Sequence, residues 1–156
     1  MSIPSFLQRL FSFNSKRQSD SEDQLVLERF KFACLASVAV QVVVLTDDIL
    51  QYSVDIPLDV RREIRQVRLA IDGIRNSARE KSTTASNQRE VGVGCYEQLL
   101  EDLNMAVREL RELLDGVFEI PHLVYREEIG NNMDVISCIA EDIYEYQWQT
   151  LNSSNG

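Results

Sequence analysis

The stretch Tyr96–Val117, YEQLLEDLNMAVRELRELLDGV, decides the fold. Within it Tyr96, Leu100, Leu103, Val107, Leu110, Leu114 and Val117 recur at spacings 4-3-4-3-4-3, an unbroken heptad seam. Leu99, Ala106, Leu113 and Ile120 form a further apolar column beside it. The combined stripe is wider than a two-stranded coiled coil needs and suits a helix packed against two neighbours in a bundle.

Working outward, the same period recurs on both sides. Ile129, Met133, Ile136, Ala140 and Ile143 predict a last helix from about Leu123 to Leu151. Pro121, behind Gly116 and Ile120, marks the break before it, and Gly130-Asn131-Asn132 is a weak point where that helix either splits or turns. Upstream, Val60, Ile64, Val67, Ile71, Ile74 and Ala78 predict a helix from Pro57 to about Glu80. Asp55 and Asp59 are placed for its positive end, and Pro57 suits its opening turn. A first helix is expected from about Leu25 to Tyr52, with a middle that is apolar all round, as in the most buried helix of a bundle. Val38–Leu45 is β-branched enough for a strand, but no second alternating segment exists to pair with it. Lys81–Gly94, KSTTASNQREVGVG, has no period and reads as a long loop. The expected fold class is therefore all-α, a four-helix bundle with a short N-terminal amphipathic helix or arm. Residues 1–24 form the arm and a polar hinge, 25–152 the bundle, and 153–156 a frayed tail.

The chain has 156 residues, a length for one ordinary domain. Apolar residues make up 44% and charged residues 26%, the balance of a globular protein and not a disordered one. The apolar run Phe32–Leu45, FACLASVAVQVVVL, is shorter than the ~20 residues that a spanning helix needs, and it reads as a core segment. Cys34, Cys95 and Cys138 are odd in number, widely spaced and set in apolar surroundings. They are expected to be reduced core thiols in a reducing, cytoplasmic compartment.

The formal net charge is -9, but it is distributed unevenly. Residues 95–120 hold seven acids and two bases, whereas residues 56–80 hold six arginines against four acids. Arg61, Arg65, Arg68, Arg75 and Arg79 fall near one line of a helical wheel, with Asp72 in the same stripe. Arginine pairs bidentately with carboxylate or phosphate. The stripe has three readings: a solvated face laced to the acidic helices or to a second subunit, a dock for an acidic partner protein, or a contact to phosphate of nucleic acid or lipid. Overall acidity disfavours nucleic acid.

Residues 1–19, MSIPSFLQRLFSFNSKRQS, contain no acid. Ile3, Phe6, Leu7, Leu10, Phe11 and Phe13 gather on one side of a helical wheel, and Arg9, Lys16 and Arg17 supply positive charge. Such a segment suits an anionic membrane surface, a partner protein, the bundle itself as a fifth helix, or an organelle transit signal. On the last helix, Tyr144, Tyr146 and Trp148 lie among Glu141, Asp142 and Glu145. One ring is expected inward and the others half exposed, where Tyr and Trp anchor interfaces.

Catalytic equipment is sparse. His122 is the sole histidine and is expected on the surface. Glu119-Ile-Pro-His122 matches one Glu-x-x-His element of ferritin-like metal bundles, but such sites need two, and Pro121 interrupts this one. No nucleophile elbow or phosphate loop is present. No metal, cofactor or small-molecule substrate is expected. The expected function is a non-enzymatic helical adaptor or regulator that recruits partner proteins or self-assembles. Peripheral membrane attachment through the arm belongs to that reading. A nucleic-acid-associated regulator and a ferritin-like metal bundle are the alternatives.

Overall fold

The computed structural model describes residues 21–52, 54–84 and 95–154. They form four helices and no strand: α1 (Ser21–Gln51), α2 (Leu58–Thr84), α3 (Cys95–Phe118) and α4 (Arg126–Ser154). Successive helices pack on one another, α4 closes the ring on α1, and α1 touches α3 across the diagonal. This is the all-α four-helix bundle that the heptad seam predicts. The arm and residues 85–94 of the loop lie outside the described residues.

The seam itself is the core. Tyr96, Leu100, Leu103, Val107, Leu110, Leu114 and Val117 are all buried, and so is Ala106 of the adjacent column, while Leu99, Leu113 and Ile120 pack at its edge. Ile64, Val67, Ile71, Ile74 and Ala78 of α2 meet them, with Ile129, Ile136, Ile139, Ala140 and Ile143 of α4. Each large side chain so buried contributes roughly 1.5–3 kcal/mol. Of the buried polar groups, the Thr46 hydroxyl and Asn104 Nδ2 are bonded, while Asn104 Oδ1 has no partner among the described residues. The Thr46 hydroxyl donates to the Val42 carbonyl at 2.7 Å, and Asn104 Nδ2 donates to Gln147 Oε1 at 2.8 Å. The Tyr96 and Tyr146 hydroxyls meet at 3.2 Å.

Several boundaries differ from expectation. α1 begins at Ser21, so the last four residues of the expected hinge are helical; Ser, Glu and Asp suit a first turn. α2 runs four residues past Glu80, because the Ser82 and Thr83 hydroxyls bond back to carbonyls of the preceding turn. Pro57 stands just before α2, and its carbonyl accepts from the Arg61 N–H at 3.0 Å. α4 starts three residues after Leu123 and passes unbroken through Gly130. That glycine is needed for closeness: a Cβ there would lie 2.9 Å from Phe118 Cζ. Arg126 completes this corner, donating to the Phe118 and Ile120 carbonyls at 3.0 and 2.7 Å with its guanidinium over the Phe118 ring.

The largest departure concerns α1. Its inner side is deeply buried through Phe32, Leu35, Val38, Ala39, Val42 and Ile49. Its outer side is not, since Val26, Phe30, Val40 and Val44 are exposed. A helix apolar all round is here buried on one side only, because the square of four helices surrounds no member completely.

Candidate protein-interaction surfaces

The arginine stripe is largely consumed within the molecule. Arg61 donates to the Ile56 and Val54 carbonyls at 3.1 and 3.3 Å and so braces the turn before α2. Arg68 grips Asp47 of α1 with two bonds of 2.6 and 3.0 Å. This bidentate pair raises the Arg68 pKa further. Arg75 pairs with Asp72 one turn earlier at 2.9 Å. Arg65 and Arg79 stay exposed. Lacing within the bundle thus accounts for three of the five arginines, and the carboxylates come from α1 and α2 rather than from the acidic α3 and α4.

On α4 the three aromatics separate. Tyr146 is buried with its hydroxyl against that of Tyr96, whose ring meets Phe32 edge to face at 5.5 Å, so it is turned away from the exposed face of α4. Its heptad position, three residues after Ile143, turns it inward. Burial, together with Tyr146, pushes the Tyr96 phenol well above its usual range. Tyr144 and Trp148 are 56% and 57% exposed, one turn apart. They edge a groove of about 460 Å³ between α3 and α4, with Arg108, Arg111, Ala140, Glu141 and Glu145. Asp142 stands behind this rim; burial and the neighbouring Glu145 and Glu141 raise its pKa. Arg108 also edges a groove of about 650 Å³ between α2 and α3, whose floor is Ala70, Ile74 and Ala106 and whose rim carries Asp102, Glu109 and Glu112.

A further surface escaped the sequence reading. Val26, Phe30, Ala33, Ser37, Val40 and Val44 are all exposed and form a second column on α1 at spacings 4-3-4-3-4. Val26, Phe30, Val40 and Val44 show 58%, 47%, 37% and 52% of their surface to solvent. The signal was present as a second heptad phase, hidden because every position around the helix looked apolar. For the same reason Val26–Gln51, with mean hydropathy 1.8, is the one helix among the described residues long and apolar enough to cross a membrane, and half of that window is buried in the bundle.

The thiols differ from one another, against the expectation of three core cysteines. Cys34 is buried, and burial pushes its pKa up to about 11. Cys95, at the first residue of α3, is half-buried with Lys81 Nζ 2.6 Å from its sulfur, and Cys138 is exposed on α4. A period that is only partly apolar around Cys138 leaves it outside the packed face. His122 lies exposed in the turn between α3 and α4. Among the described residues no group of three or more His, Cys, Asp or Glu is placed to hold a metal. The anchor residues Ile3, Phe6, Leu7, Arg9, Leu10, Phe11, Phe13, Lys16 and Arg17 lie outside the described residues. No family model, curated protein or solved structure matches the chain.

Proposed function

We propose that this chain is a non-enzymatic helical interaction protein that recruits a partner protein through the outer face of α3 and α4. The observation that carries the reading is the exposed pair Tyr144 and Trp148, one turn apart on the rim of a groove. Aromatic side chains offer large contact area with few rotatable bonds, and Tyr, Trp and Arg are the residues on which interface energy concentrates. The groove presents Arg108 and Arg111 from one helix and Glu141 and Glu145 from the other. A partner helix with apolar anchors and charges of both signs fits that rim, which sets orientation more than affinity. The test is capture from native extract with wild-type protein and with Tyr144→Ser/Trp148→Ser. Loss of the captured protein in the double variant, with an unchanged circular-dichroism spectrum, supports the reading; identical capture by both overturns it.

A second reading adds peripheral attachment to an anionic membrane. It is favoured by the acid-free, amphipathic residues 1–19, in which Arg9, Lys16 and Arg17 each add about 1 kcal/mol near such a surface. Co-sedimentation with anionic vesicles that survives removal of residues 1–19 ends this reading.

A further inference from the structure

The groove between α2 and α3 and the outer side of α2 lie next to each other, and each offers what the other lacks. Leu58, Arg62, Arg65 and Leu69 are all exposed and stand at spacings 4-3-4, one column facing away from the core. The groove beside it has a floor of Ala70, Ile74 and Ala106 and a rim of Asp102, Glu109 and Glu112. Leu69, next to the groove, and Met105, on its far wall, are each 63% exposed, the most exposed large apolar side chains of α2 and α3. We infer that the occupant of this groove is α2 of a second copy of this chain, in a two-fold dimer in which each copy fills the groove of the other.

One contact sets the level of α2 against α3. Lys81 Nζ near the end of α2 lies 2.6 Å from Cys95 Sγ at the start of α3, so the two helices run antiparallel. Arg65 stands sixteen residues back from Lys81, and Glu112 stands seventeen residues on from Cys95. At about 1.5 Å per residue the two are level. By the same count Leu69 is level with Val107, two residues from Met105. A two-fold axis running along the helices preserves these levels. It sets the two α2 helices side by side, each lodged against α2 and α3 of the other copy, so that the four helices make a rhombus. Arg65 then faces the second copy's Glu112, with Glu109 one turn away, and Leu69 faces the second copy's Met105. Gly73, one turn beyond Leu69, leaves room for this approach, since a Cβ there would meet nothing within 4 Å.

Charge selects this occupant. Among the described residues neither Arg62 nor Arg65 is ion-paired, and neither is Glu109 or Glu112. The dimer joins guanidinium to carboxylate, the pairing that arginine makes bidentately. Because a two-fold interface is self-complementary, each pairing occurs twice. A rim of three carboxylates beside Arg108 repels phosphate, so neither nucleic acid nor an anionic lipid surface suits the groove. The net charge of -9 on each copy opposes association, but it is screened beyond about 8 Å at physiological ionic strength. The face from Leu58 to Gly73 is about 24 Å long and two helices wide. That is the small end of specific interfaces, so the dimer is a reversible one. It leaves the α3–α4 groove open and stands whether or not that groove takes a partner.

The test is sedimentation equilibrium of the full chain in reducing buffer. Wild type is expected to be dimeric at about 100 μM and to dissociate on dilution. Arg65→Glu and Glu112→Arg each set like charges together at both contacts, and each is expected to weaken dimerisation about tenfold or more. An equimolar mixture of the two variants pairs opposite charges at both contacts and is expected to restore the dimer. Arg79→Glu makes the same change of charge on an exposed arginine outside the interface and is expected to leave dimerisation unchanged. Circular dichroism verifies that every variant remains helical. A monomeric wild type overturns the inference, as does a mixture no more dimeric than its components or an equal loss in Arg79→Glu. A monomeric wild type that binds a leucine–lysine helical peptide, with that binding lost in Glu112→Arg, assigns the groove to a separate basic partner instead.

Discussion

Helices α1 and α3 share a heptad period and use it differently. In α3 the apolar positions gather in one stripe, the stripe is buried, and the opposite face carries Glu97, Glu101, Glu109 and Glu112 on the exposed side. In α1 two apolar columns run on opposite sides, and only the inner one is buried. Apolar sequence therefore sets which faces can be buried, whereas the number of helices available sets which faces are. A square of four leaves each member one outward side, and α1 alone fills that side with Val and Phe rather than charge.

The comparison is broken most severely by truncating each column in turn. Leu110→Ala, in the buried seam of α3, is expected to lose about 2–5 kcal/mol in urea unfolding, through lost transfer energy and the cavity left behind. Val44→Ser, on the exposed outer column of α1, is expected to change stability by no more than about 0.5 kcal/mol. Comparable losses would mean that the outer column is covered along its whole length.

A smaller effect reports the inner side of α1 by itself. Cys34 titrates near 9.0 in an unfolded chain and near about 11 in the bundle. The folded protein then binds more protons between those values, so stability is full below pH 9.0 and declines as pH rises toward about 11. Cys34→Ala is expected to lower stability slightly at neutral pH and to flatten the decline above pH 9.0, measured by urea midpoints across that range. Tyr96, also raised by burial, adds to the decline above pH 10.0, and Tyr96→Phe removes that share. An unaltered slope in both variants would place these side chains in water. The smallest effect is at the seam between α1 and α2. Asp47 is exposed and Arg68 half-buried at the surface, so Arg68→Ala is expected to cost less than about 1 kcal/mol, and the difference should fade in high salt.

Much of this was legible in residue order. The seam from Tyr96 to Val117, the stripe from Ile64 to Ala78 and the run from Ile129 to Ile143 each carry one period with one polar side, so periodicity alone assigns their inward faces. What failed did so for identifiable reasons. Gly130 looks like a break, but it is a close approach to Phe118, which no local pattern records. Tyr146 looks like its neighbours Tyr144 and Trp148 in composition, and only its place after Ile143 in the period sends it inward. The arginine stripe stays open between lacing and docking because Asp47, the partner of Arg68, is distant in sequence. The outer column of α1 was invisible because hydrophobicity on every side has no phase to read.

The bonded pair Asn104 and Gln147 has a consequence for the groove beside it. An all-aliphatic seam tolerates slippage by a heptad with little penalty, whereas a single polar couple inside one is satisfied in only one alignment. Asn104 stands one turn before Arg108, and Gln147 adjoins Trp148. The couple therefore works as an index mark between α3 and α4. It keeps the two arginines opposite the two exposed rings, and a chain that loses it would keep its helices while losing the alignment of that groove.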